Sequence, residues 1–139
     1  MSFIRSVVGL VMGCMLLASG AAHSLVGWPA QARELAVVHA SPEQVARLAM
    51  GWQFSGLAML VFGSIAVVTF VNRLRRRPVD LWPVWLVALG YVTYGAAALV
   101  LFGGDAFFLF TFLLPGVLLA AAAWPEGLGR EEDSRTVGQ

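Results

Sequence analysis

Apolar residues fall into four long runs, residues 6–27, 45–71, 82–102 and 106–124, separated by short polar joints. No run alternates with the two-residue period of a half-buried strand. A bilayer core of about 30 Å takes roughly 20 helical residues at 1.5 Å each, and every run is about that long. Hydrocarbon offers no partner to backbone N–H and C=O groups, so each run is expected to be a helix. Four strands cannot close a barrel. The expected fold is therefore all-α: an integral membrane four-helix bundle with four transmembrane helices and short loops. It forms a single domain over residues 1–124, with residues 125–139 as a polar cytoplasmic tail.

The joints carry their own signals. Trp28-Pro29 is expected to end the first helix, because proline lacks an N–H and clashes with the preceding turn. Residues 30–40 are mildly amphipathic and suggest a short helix lying at the interface. In Ser41-Pro42-Glu43-Gln44, Ser41 is placed to cap, Pro42 to occupy the first helical position and Gln44 to complete a capping box. Residues 72–80 (NRLRRRPVD) form a polar turn, and Gly103-Gly104-Asp105 a tight one. Asp105 is expected to cap the fourth helix. Pro115-Gly116, in the middle of that helix, predicts a kink.

Composition narrows the class. The chain is 59% hydrophobic and 12% charged, with a mean hydropathy of +0.79. A soluble domain carries roughly 25% charged residues, so a water-soluble globule is excluded, and so is a disordered chain. A net charge of +1 provides no basic field for nucleic acid. The single Cys14 excludes an internal disulfide and any site built from several cysteines.

The arginines orient the bundle. Arg5, Arg73, Arg75, Arg76, Arg77, Arg130 and Arg135 fall on one side of four spans, and only Arg33 and Arg47 on the other. By the positive-inside rule both termini are cytoplasmic, in a bacterial inner membrane. Trp28 then lies at the outer interface with Arg47 and Asp105, whereas Trp82, Trp85 and Trp124 lie at the inner one. The Arg73, Arg75, Arg76 and Arg77 cluster suits anionic headgroups, though topology alone accounts for it. A rival reading of the N-terminus is a cleaved signal peptide: Arg5, an apolar stretch and Ser19-Gly20-Ala21-Ala22 have that form. It would leave three spans.

Helices in lipid associate through small residues. Gly9, Gly13, Gly20 and Gly27 on the first run, and Gly56 and Gly63 on the second, recur mostly at seven-residue spacing and mark packing faces. Internal packing is the ordinary reading, and a face for a second subunit the sharper one.

Polar groups within spans are the best pointers to function. His23, Gln53, Tyr91 and Tyr94 are the candidate ligand-binding residues. His23, Gln53 and Tyr94 are expected in the outer half of the membrane with Ser24, Arg47 and Asp105, forming a polar pocket or knot. Each also has a plain reading, as an interfacial histidine, an interhelical glutamine or core-filling tyrosines. Haem or quinone is an open cofactor possibility. A bis-histidine haem lacks a second span histidine, and Met12, Cys14 and Met15 spread over several faces, which disfavours copper. No metal site, catalytic motif or paired intramembrane carboxylate is present.

In length and hydropathy the plan resembles small four-span bacterial inner-membrane proteins, including the DoxX-like group. No motif carries an activity across from them. The leading expectation is a non-enzymatic accessory or structural subunit, packing against lipids, other membrane chains or copies of itself. The first alternative is a binding or redox module holding a quinone or lipid. The second is a small membrane enzyme using His23 as acid–base.

Overall fold

The structure, a computed structural model, describes residues 3–124. The expected tail, with Arg130 and Arg135, lies outside them. Four helices, each long and apolar enough to cross a membrane, make this a multi-pass, all-α membrane protein: α1 Phe3–Val37, α2 Pro42–Leu74, α3 Trp82–Leu101 and α4 Ala106–Ala123.

Helix α1 departs from the sequence expectation. Trp28-Pro29 does not end it, and there is no separate interfacial helix. Instead His23–Gly27 widens into a π turn, and α-helix resumes over Trp28–Val37. The turn closes with the Trp28 N–H on the His23 carbonyl. A proline at 29 removes one N–H and crowds the carbonyl four residues back, at Leu25, and a wide turn immediately before it relieves both demands. The same device recurs in α4. There Leu109–Leu113 is a π turn, closed by the Leu114 N–H on the Leu109 carbonyl, directly before Pro115. Relief at Pro115 thus takes the form of a widened turn upstream of it.

The ends of the helices follow local chemistry. At α2 the capping box is complete: the Ser41 hydroxyl accepts from the Gln44 N–H, and the Gln44 side chain accepts from the Ser41 N–H. Asp105 accepts from the Phe107 N–H and caps α4. The α1 and α2 ends each turn through one left-handed residue, His39 and Arg76, and the α3 end through two, Gly103 and Gly104. The N–H after the first left-handed residue then reaches back five residues, Ala40 to Leu35, Arg77 to Asn72 and Gly104 to Leu99. This arrangement satisfies carbonyls that the last turn leaves open.

The glycine stripes pack α1 on α2. A Cβ at Gly13 would sit 2.9 Å from the Val67 nitrogen, and one at Gly20 3.0 Å from the Gly56 oxygen. At Gly63 it would sit 2.8 Å from the Leu17 nitrogen. Gly9 makes room for the Phe70 ring, Gly27 for Trp52 and Gly56 for the Ser24 side chain. A second close pair joins α3 to α4, where Gly95 meets Leu113 and Gly116 meets Val92. Helix α4 also packs on α1, whereas α2 and α3 touch sparingly.

The core lies toward the arginine-rich end. Leu16, Ala66, Phe70, Val84, Ala88, Leu119 and Ala123 are almost fully enclosed there. Arg73 belongs to this region rather than to the polar turn. It is the penultimate residue of α2, only 4% exposed, and donates from Nη1 to the Ala122 carbonyl at 2.8 Å. Arg5 donates to the carbonyls of Ala121 (2.8 Å) and Trp124 (2.6 Å), and Trp85 Nε1 to that of Ala123 (3.1 Å). Side chains from α1, α2 and α3 thus converge on the open carbonyls of α4, where the helix dipole favours positive charge. Arg73 is thus held inside the bundle and does not join the headgroup cluster expected of it with Arg75, Arg76 and Arg77. Arg75, Arg76 and Arg77 are exposed beyond α2.

Candidate functional site

Between α2 and α3, which touch sparingly, lies a cavity of about 350 Å³. Helix α2 supplies Phe54, Ser55, Ala58, Met59 and Phe62, α3 supplies Gly90, Tyr91 and Tyr94, α1 supplies His23 and α4 supplies Phe112. These positions lie near the middle of α2, α3 and α4, so the cavity sits at membrane depth. Phe54 (73%), Tyr94 (54%) and Gly90 are exposed residues of its rim. The opening therefore faces sideways, toward the surface that hydrocarbon would cover.

His23 is the polar group best fixed in the wall. Its imidazole stacks on Trp52 with ring centroids 4.4 Å apart and planes 5° from parallel. Trp52 Nε1 donates to the His23 carbonyl at 2.8 Å, and that carbonyl also closes the π turn. Trp28 also packs on Trp52, at a tilt, with centroids 6.2 Å apart. His23 Nε2 lies 2.8 Å from Ser55 Oγ, and Ser55 Oγ donates to the Trp52 carbonyl at 2.8 Å. With its proton engaged there, Ser55 accepts from His23, which assigns the tautomer with hydrogen on Nε2. The π turn and the Gly27–Trp52 approach together set the direction in which this imidazole faces.

The structure brings together three of the four candidate residues, His23, Tyr91 and Tyr94. It does not bring Gln53 to them. Gln53 is exposed and absent from the cavity wall. Two positions along a helix is about 200° of rotation, so Ser55 occupies the face on which the polar group is needed. Ser55 had no distinguishing sequence signal beyond its three-residue spacing from Trp52. Arg47 pairs with Glu43 at 2.5 Å in the exposed first turns of α2, and Asp105 remains a cap. Neither reaches the cavity.

Tyr91 is the unusual member. It is 5% exposed, and among the described residues no donor or acceptor partners its hydroxyl. An unsatisfied buried polar group costs about 1–3 kcal/mol. The rings of Phe62 and Phe112 flank it, with centroids 6.4 and 5.8 Å from that of Tyr91. Tyr94 meets Phe112 edge-on at 4.8 Å.

The lining offers a hydrogen-bonded His23–Ser55 pair and a buried phenol to a molecule in the cavity. A serine beside a histidine has the form of a nucleophile and base, but Ser55 directs its proton at a carbonyl. The surrounding backbone N–H groups are engaged in helices, which leaves no donor pair to hold an oxyanion. Ligation of a haem iron through His23 Nε2 would displace its hydrogen bond to Ser55. Among the described residues no three His, Cys, Asp or Glu side chains come together as a metal site. No protein-family model, curated protein or solved structure matches the chain.

Proposed function

We propose that this chain is a membrane-embedded binding protein that takes an apolar molecule with a polar head from the bilayer into the cavity between α2 and α3. The observation that carries this reading is the sideways-opening, aromatic-lined cavity at membrane depth, with the His23–Ser55 pair in its wall. Ligand sites are typically apolar clefts of about 300–1,000 Å³ with a few fixed polar groups. At about 350 Å³ this one suits a head and the start of a chain, with the remainder lying in lipid. The seven-to-two arginine distribution supports cytoplasmic termini in a bacterial inner membrane.

The alternative role of accessory subunit draws on the small-residue faces, the short loops and the lack of a catalytic motif. Gly9, Gly13, Gly20, Gly27, Gly56 and Gly63 now have an internal use, each against the partnering helix. That shifts the weight from a partner chain to a ligand.

Gly90 provides the test. It lines the cavity, and a Cβ added there meets nothing within 4 Å. Gly90→Leu should fill the opening and improve helix propensity by up to about 1 kcal/mol. Native mass spectrometry of gently purified protein should show a bound lipophile on the wild type and at least tenfold lower occupancy on Gly90→Leu. Equal occupancy would refute the reading.

A further inference from the structure

The cavity has a feature that simple lipid storage does not require. Its wall contains a buried phenol whose hydroxyl is unpartnered among the described residues. Orphaned buried donors are rarer than under-used acceptors, so the missing counterpart is first of all an acceptor. Around the phenol stand flat faces: Phe112 against both tyrosines, and Phe62 edge-on to Tyr91. Aromatic walls favour a planar ring, stacked or edge-on at 4.5–7 Å. The volume is too small for more than such a ring and the first part of a tail.

We infer that the occupant is a quinone-class molecule, a planar ring bearing carbonyl oxygens on an apolar tail, and that Tyr91 donates to one of those carbonyls. This rests on the binding reading above and deepens it. The Tyr91 hydroxyl has no exposed area, so the ring reaches it when Phe62, the half-exposed member of the pair, turns aside. The hydrogen bond gained on entry offsets that movement. His23, held by Ser55 and Trp52, is a second polar group in the same lining. No electron transfer is involved: the inference concerns binding alone.

Tyr91→Phe separates ligand recognition from fold, because it deletes an oxygen that makes no hydrogen bond among the described residues. Decylubiquinone is titrated into purified protein, and quenching of tryptophan fluorescence is followed, Trp52 being stacked on the cavity's histidine. Decylbenzene, which has the ring and tail without carbonyls, is titrated in parallel. Saturable quenching by decylubiquinone is expected in the wild type, with affinity about tenfold weaker in Tyr91→Phe. The thermal midpoint of unliganded Tyr91→Phe should equal or exceed that of the wild type, and decylbenzene should not distinguish the two proteins. Wild-type affinity in Tyr91→Phe, with binding lost in Gly90→Leu, overturns the donor assignment and leaves the binding reading standing. Decylbenzene binding as tightly as decylubiquinone overturns the carbonyl-bearing class. Undiminished quinone binding in Gly90→Leu removes both this inference and the proposed function.

Discussion

At the scale of single residues, the two non-glycine residues with positive φ show what the chain tolerates for the sake of its turns. His39 (φ 54°) and Arg76 (φ 56°) occupy a position that glycine fills at the end of α3. A side chain in the left-handed region costs roughly 1–2 kcal/mol, and glycine relieves it while adding unfolded-state freedom. Arg76→Gly is therefore expected to stabilise the protein by about 0.5–1 kcal/mol, read as a shift in the unfolding midpoint in mixed micelles. A lower midpoint would show that the Arg76 side chain holds more than its turn. Gln53 and Ser55 illustrate a different lesson. Both are polar and only two positions apart, yet the helical period sends one outward and the other to His23.

At the scale of elements, α1 and α2 behave as one unit, a pair of helices of 35 and 33 residues. At 1.5 Å per residue each is about 50 Å long, well beyond a hydrocarbon core of about 30 Å. Their far ends therefore extend past the 20- and 18-residue α3 and α4. What holds the pair is backbone approach at glycine. Gly63→Val would place its side chain against the Leu17 nitrogen and the Gly13 oxygen, 2.8 and 3.0 Å from the new Cβ. Backbone does not yield as a flexible side chain does, so a loss of about 1–3 kcal/mol is expected, measured by reversible unfolding in detergent. An unchanged stability would mean that the two helices separate freely. Heptad glycines made this pairing legible in advance. The π turns were not legible, because Pro29 and Pro115 announced only that an ordinary turn would fail there. A helix end, a kink and a widened turn all satisfy that condition, and packing against Trp52 and Gly95 selects the third.

At the scale of the whole molecule, closure and cavity occupy different parts of the bundle. One end is closed: Arg5, Arg73 and Trp85 bind successive carbonyls of α4 over an enclosed core. The cavity instead lies near mid-helix, between α2 and α3, which touch sparingly. Charged hydrogen bonds of this kind are worth about 1.5–3 kcal/mol. Arg73→Ala is expected to lose about that much and to free the α4 terminus, visible as faster amide exchange at residues 119–123. If stability falls without faster exchange there, the arginine acts elsewhere. Because the cavity lies away from this closure, the same substitution should leave decylubiquinone affinity within about twofold.

Hydrophobic run length and the satisfaction of backbone groups in lipid determined the four helices, and glycine spacing determined which faces meet. Capping residues determined where α2 and α4 begin. Those signals are local or periodic, and one sequence carries them whole. Contacts between residues distant along the chain decided the rest: Ser55 rather than Gln53 at His23, Arg73 inside rather than outside, and a phenol closed in without a partner among the described residues. Each depends on how four rotated helices meet. Rotation about a helix axis is set by the sum of all its contacts, which no single stretch of the chain contains.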